Sequence, residues 1–397
     1  LRKAVRGRGA RVSFVNARRF DWHFDVDREI VARPDRLVDS LAAVAAAVAE
    51  RSGTRMPDEI AAVANAARPG EAEQAVAASL VDGEAATVLL GDQALNHPRA
   101  GALRRLASAI AAMAGARFGY LPEYGNGAGG WLAGAVPHRG PAGRPAERAG
   151  SDALSLWRSP RRGYLLLGVE PEFDSADPAA ATAALHAAER VVAVAPFATE
   201  AMLQYADIIL PGTVFAETDG THVNAEGLWQ NFEAAGTPPG EARPNWKILR
   251  VLGNELGVDG FDYFAAADVR RELKEQCREI RLDNTASGPV AADEPVEGLV
   301  RYGDVPMYSV DPLVRQSEPL QAAADAGVPA VRLAPAEAER LGLADAERVV
   351  VSQDGRDQVL ALVIDEHIAE GCAWIPQGLA ATSTLGSAFG AVELQRA

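Results

Sequence analysis

The chain has 397 residues, 48% of them hydrophobic and 23% charged, with a formal net charge of −15; this balance excludes a disordered chain and allows two or three substantial cores. The negative charge argues against nucleic acid as a partner, because binding phosphates requires clustered Lys and Arg, and the arginines between Arg2 and Arg36 are read as a solvated face or a domain contact. No run approaches the roughly 18 uninterrupted apolar residues of a spanning helix, so no transmembrane segment is expected.

In chain order, residues 1–8 read as a charged helix end stopped by Gly9, followed by a strand at Val12 to Asn16. An interior strand fed by a bare helix end at Leu1 leads to the expectation that an N-terminal portion precedes this sequence. Alanine-rich helices are predicted over Pro34 to Arg51, Pro57 to Arg68 and Pro98 to Ala114, with a strand at Thr87 to Gly91. Alternation of this kind implies a parallel sheet with helices on its faces. Tyr124 to Ala149, rich in Gly and Pro, reads as a surface loop or linker; its Gly125 to Gly130 cluster lacks the preceding strand that a dinucleotide fingerprint requires.

The middle region reads as strand, helix, strand, helix, strand: Gly163 to Leu167, Pro178 to Ala188, Arg190 to Ala195, Thr199 to Tyr205 and Ala206 to Leu210. Short joins make this a βαβαβ unit, the half-unit of a doubly wound sheet. Helices follow at Pro244 to Leu256, with Asn245 as a candidate cap, and within Asp262 to Arg281. After Thr285 the composition turns to Pro, Gly, Asp and Glu. Short strands at Val331 to Leu333, Arg348 to Ser352, Gln358 to Ile364 and Gly371 to Pro376, with a hairpin turn at Asp354-Gly355 and one helix at Pro335 to Leu341, predict a small β-domain. The expected domains are therefore 1–150, an α/β domain truncated at its N-terminus; 151–285, a second, Rossmann-like α/β domain; and 286–397, a β-barrel-like domain. Trp22, Trp131, Trp157, Trp229, Trp246 and Trp374 are spread through all three and are expected to be core anchors.

Cys277 and Cys372 are the only cysteines. A cluster takes about four thiolates, so this chain cannot ligate an iron–sulfur centre by itself; sparse cysteine usage suits a reducing compartment, and sequence alone leaves a disulfide open. The six histidines show no metal-ligand spacing. No metal site and no catalytic residue is predicted. Asp219 and His222 lack an accompanying nucleophile, and His97, in Asn96-His97-Pro98, reads as part of a helix-entry turn.

The richest stretch is 206–230, where the apolar run Ile208-Ile209-Leu210 ends at Pro211-Gly212 and a polar loop follows with Thr213, Glu217, Thr218, Asp219, Thr221, His222, Asn224 and Gln230. Open α/β sheets bind ligands beyond such strand ends. The Leu-Pro, Glu, Gly-Thr, Asn and Gln of this run, at this spacing, resemble the signature of the molybdopterin-containing oxidoreductases. Within that superfamily the resemblance is to the large iron–sulfur subunit of the respiratory NADH:quinone oxidoreductases, complex I. The blocks Gly9 to Arg19, Leu89 to Pro98, Leu167 to Pro171 and Pro239 to Trp246 agree in order, so the likeness spans nearly the whole chain. Residues 338–351 resemble the family's C-terminal double-psi barrel.

The resemblance implies α/β architecture with doubly wound parallel sheets of the molybdopterin-oxidoreductase type, plus that barrel. It implies that Gly168, Glu170, Pro171, Thr199, Glu200, Glu217, Gly220, Thr221, Asn224 and Gln230 stand where catalytic relatives hold the guanosine-diphosphate arms of the pterin; Gly168, Glu170, Thr199, Thr221 and Asn224 are taken as the vestigial cofactor-binding set. The pattern has eroded. Many relatives read Asn-x-Glu-Arg-Arg-x-Gln, but this chain has Gly227 and Leu228 in place of the arginines, and Arg18-Arg19 is followed by aromatic and acidic residues, Phe20 to Phe24. The expectation is thus a non-catalytic portion without molybdopterin. Iron–sulfur clusters would lie in the preceding part of the intact subunit, partners would be other complex I subunits, and the place would be the cytoplasmic side of the inner membrane, peripheral to it. The alternatives are a fragment of an active molybdopterin enzyme of the formate dehydrogenase or nitrate reductase type, and a stand-alone interaction protein.

Overall fold

A computed structural model describes all residues except 123, 282, 284 and 287. Helix Arg2–Arg8 ends at Gly9, whose φ of 67° supplies the left-handed cap. Strand Ser13–Asn16 then pairs in parallel with Arg28–Val31, a strand too short to signal itself in the sequence. Helices Leu37–Ser52, Asp58–Ala66 and Ala100–Met113 fall at the expected places, joined by the unpredicted helix Glu71–Val81, while Thr87–Leu90 pairs in parallel with Arg117–Tyr120. Val38, Val48, Ile60, Leu103, Leu106 and Ile110 form their common core. The many alanines let the helix axes approach closely, at the cost of less apolar area per residue.

Strands Gly163–Leu167, Arg190–Ala195 and Ile208–Pro211 lie side by side, all parallel and in sequence order. Helix Pro178–His186, whose first turn is capped by the Asp177 carboxylate accepting from Ala180 N–H at 3.0 Å, covers Leu166, Val191 and Ala193 together with Met202 and Tyr205. The predicted helix from Thr199 is shorter, Met202–Tyr205, because Thr199 caps it. Hairpin Gly220–Val223 with Trp229–Phe232 follows, then helices Asn245–Glu255 and Ala266–Gln276.

Gly125 to Gly130, expected as loop, contains most of a two-turn helix, Gly127–Ala133. The glycine content hid it. Gly129 must lack a side chain because the Asn126 amide folds over it, 2.0 Å from where a Cβ would stand, to accept from Val223 N–H of the hairpin at 2.8 Å.

The C-terminal part is a closed six-stranded barrel in the order Leu299–Tyr302, Cys372–Trp374, Ala330–Leu333, Arg356–Ile364, Arg348–Gln353, Gly390–Arg396. Its first and last strands lie outside the strands expected from the sequence. Val349, Val351, Leu360, Leu333 and Ile375 fill it, and the predicted turn is present, with Asp354 and Gly355 at φ 52° and 73° joining Gln353 to Arg356. No helix among the described residues is long and apolar enough to cross a membrane.

The barrel is bolted to the first helical region. Ala17, Tyr302, Ile368, Ala369, Cys372 and Trp374 share a buried cluster against which Phe20 and Phe389 pack. The segment 289–296 returns as a strap: the Asp293 carboxylate accepts from Val38 and Asp39 N–H at 2.9 and 3.2 Å, capping a helix whose own N-terminus offers no side-chain cap.

Candidate functional site

The turns after each strand border the end of the three-stranded sheet, where an open α/β sheet would offer its crevice. Gly168 leaves the first strand at φ 62° and donates to Val194 O at 2.8 Å. Asn245, predicted as a cap, instead reaches from its helix to the strand ends, its Oδ1 accepting from Thr213 N–H at 3.2 Å. Gly212 makes room for it, since a Cβ there would stand 2.4 Å from the same oxygen.

Glu170, Glu172 and Asp174 converge below this edge. Glu170 is 3% exposed and Glu172 6%. Thr199 Oγ1 donates to Glu172 Oε1 and the Tyr205 hydroxyl donates to its Oε2, each at 3.0 Å. The Glu170 carboxylate takes Arg315 Nε at 2.7 Å, while Arg315 Nη1 and Nη2 both reach Asp174 Oδ1 at 2.9 Å and Nη1 also donates to Ser309 O at 2.7 Å. The guanidinium carbon lies 5.2 Å from the Phe173 ring centre. Burial raises the Glu170 carboxyl above its ordinary range, with Arg315 pulling the other way; burial and then the neighbouring Glu172 push the Tyr205 phenol up. Glu170 Oε1 and Thr213 Oγ1 are buried with no hydrogen-bond partner among the described residues.

The structure thus places Gly168, Glu170 and Thr199 along one sheet edge. Thr221 and Asn224 belong to the hairpin. Thr221 is registered against Asn231, and Asn224 turns its Oδ1 inward to accept from Glu226 and Leu228 N–H, both at 3.0 Å, closing its own loop. Gly220 serves packing: a Cβ there would meet the Phe232 ring at 2.7 Å. The His222 ring packs edge-on to Phe232 at 4.9 Å, and the Thr218 hydroxyl donates to the Asp219 backbone carbonyl at 3.0 Å.

The aromatic run after Arg19 also packs. Trp22 stacks on Phe14 at 4.3 Å, and the Arg18 guanidinium lies 4.9 Å from the Phe20 ring and 5.2 Å from Trp374. Of the tryptophans expected as anchors, Trp374 is 1% exposed, but Trp131, on the short helix Gly127–Ala133 that buries only Gly129, is 51% exposed, and Trp22, outside any helix or strand, is 37% exposed. His97 Nε2 contacts Pro34 O at 2.9 Å and Nδ1 accepts from Arg99 N–H at 3.0 Å, and burial lowers its pKa. Both cysteines are free, and burial pushes the Cys372 thiol up. No group of three or more His, Cys, Asp or Glu among the described residues is arranged to hold a metal.

Arg315 is the site residue that sequence reasoning missed. It lies in a Pro-rich segment without periodicity, and nothing local says that it crosses to a strand end 145 residues earlier.

The profile of the molybdopterin oxidoreductases matches residues 5–255, taking in both α/β regions. The chain belongs to that family. Its similarity to individual members is uneven: 28% identity over 321 residues, 73% of this chain, with an NADH-quinone oxidoreductase subunit of Mycobacterium bovis, and 33% over 131 residues, 29% of this chain, with the mitochondrial NADH-ubiquinone oxidoreductase 78 kDa subunit of Neurospora crassa. The assimilatory nitrate reductase catalytic subunit of Bacillus subtilis is 35% identical over 118 residues, 30% of this chain. These alignments take in 38%, 17% and 16% of the respective relatives, so the chain matches well under half of their length. Acetylene hydratase from Pelobacter acetylenicus superposes with a TM-score of 0.60, covering 100% of this chain and 75% of that one at 16% identity, which shows the shared fold.

Proposed function

We propose that this chain is a scaffold portion of the large iron–sulfur subunit of an NADH:quinone oxidoreductase, peripheral to the membrane on its cytoplasmic face, giving neighbouring complex I subunits a docking surface. Iron–sulfur clusters elsewhere in the intact subunit would relay electrons from NADH toward quinone. The long alignment with the mycobacterial subunit supports this reading over the others. Residues 1–150, 151–285 and 286–397 serve as its domains, the three-strand unit as half of a doubly wound sheet and the barrel as one of the double-psi kind.

One observation carries the scaffold role. Glu170 and Asp174, on the turn where relatives would meet a nucleotide arm, are held by the chain's own Arg315. A molybdopterin guanine dinucleotide is a polyanion, and the crevice sets three carboxylates, Glu170, Glu172 and Asp174, against that single guanidinium. With Asn224 folded into its own loop and Leu228 where an arginine would stand, the residues present do not fit the group.

A second reading, a portion of an active molybdopterin enzyme, draws on the nitrate reductase relative and on the unpartnered oxygens of Glu170 and Thr213. One experiment separates the two. The chain purified from its native host is analysed for molybdenum and oxidised to release fluorescent pterin; both assays should be blank, and stoichiometric molybdenum with pterin fluorescence would replace the scaffold by the enzyme.

A further inference from the structure

Helix Ala266–Gln276 packs on the hairpin strand Gly220–Val223 and leaves, beside Trp229, an open cavity of about 620 Å³. Trp229, Arg270, Arg271, Lys274, Cys277 and Arg278 line it, with Glu275 the one carboxylate among the lining residues. Four cations against one carboxylate is the reverse of a chain whose net charge is −15. Arg271 is paired with Asp268 at 2.6 Å and Arg278 with Glu275 at 3.0 Å. Arg270 and Lys274 have no carboxylate partner in an ion pair among the described residues, although they stand one turn apart on the same face, where like charges repel. A cation near a helix C-terminus is favoured by the macrodipole, which accounts for Lys274 and Arg278; Arg270 sits mid-helix, out of reach of that effect.

The floor is aromatic. Lys274 Nζ lies 5.5 Å from the centre of the half-buried Trp229 ring, which fixes one cation at the indole. Arg270 and Lys274 are about 6 Å apart along the helix axis, a separation that a short chain of phosphates spans, and at about 0.15 M salt charges more than about 8 Å away are screened. With Arg271 and Arg278 already paired, and Glu272 and Glu279 also on this stretch, Arg270 and Lys274 are the two cations left to meet an anion in the cavity.

We propose that this cavity binds an anion of the di- or triphosphate class, with the Trp229 ring placed to stack a nucleoside base if the anion carries one. None of these side chains belongs to the strand ends around Glu170, so this cavity can be filled whether or not that place is.

The test is calorimetric titration of the purified chain with pyrophosphate, ADP and ATP in low salt, about 0.05 M. Saturable binding is expected, weakening steeply as salt rises and falling by roughly tenfold or more in the Arg270→Gln/Lys274→Gln variant. Both positions are on a helix surface, and an unchanged melting temperature would show that fold is not the cause. ADP binding more tightly than pyrophosphate, with the advantage lost in Trp229→Leu, assigns a nucleotide; equal affinities assign a free phosphate chain. Absence of saturable heat with all three, or binding that the double variant leaves untouched, overturns the site.

Discussion

Arg315 places one guanidinium among two carboxylates and a backbone carbonyl, with only 9% of its side chain exposed. Removing one partner of such a buried group leaves the others desolvated and uncompensated, which costs about 3–5 kcal/mol. Arg315→Met should therefore destabilise the chain by about 3 kcal/mol in urea unfolding, and Glu170→Gln in the same chain should recover part of that loss. A single variant within about 0.5 kcal/mol of the parent would show the crevice indifferent to its occupant. The carboxylate was visible in the sequence as a candidate because the family resemblance sets it at a cofactor-loop position after a strand. Its partner was not, because an ion pair across 145 positions leaves no local pattern.

At the level of elements, helices and strands with a strong apolar period were placed from sequence. Leu37–Ser52 and Ala100–Met113 bury seven or eight residues each, and that face is written in the spacing of their Leu, Val and Ala. Two of the missed elements carry little apolar signal in their own sequence: Gly127–Ala133 is rich in glycine and buries only Gly129, and Arg28–Val31 has just two apolar residues. The cap of helix Leu37–Ser52 is a further tertiary decision, since Asp293 supplies it from 254 and 255 residues away while pairing with Arg99 at 3.3 Å. Asp293→Ala should lower stability by about 1–2 kcal/mol, read as a fall in melting temperature. Asp293→Asn keeps an acceptor for the cap and should restore most of it; equal losses in the two variants would assign the effect to charge alone.

For the whole molecule, the seam between the helical region and the barrel contains a buried titratable group, His97. The His97 ring lies edge-on to Tyr302 and Phe389 of the barrel at 5.9 and 5.0 Å, donates from Nε2 to Pro34 and accepts at Nδ1 from Arg99. A second proton on Nδ1 would face the Arg99 N–H. Burial lowers the folded pKa below the ordinary value of about 6.5, so the unfolded chain binds the proton first. The stability contributed by neutral His97 is complete above about pH 6.5 and is lost progressively as the pH falls through and below it. Melting temperatures between about pH 7.5 and 5 should drop more steeply in the parent than in His97→Gln; parallel profiles would remove His97 from the acid response. Buried carboxyls with raised pKa, Glu170 and Asp293, act with the opposite sign, and the comparison of two chains cancels them.

The sequence by itself determined the family, the alternation of strands and alanine-rich helices, the three-strand parallel unit and the hairpin turn at Asp354-Gly355. Each rests on short-range rules: periodicity, φ preference, and residue order within a motif. Tertiary structure alone decided that Arg315 occupies the Glu170 carboxylate, that Asp293 caps a helix 255 residues away, and that Trp229 of the hairpin faces one cavity with Arg270 and Lys274 of a later helix. These are pairings between segments whose separation along the chain bears no relation to their distance in space, and each is fixed by what must be neutralised, capped or covered once the cores have packed.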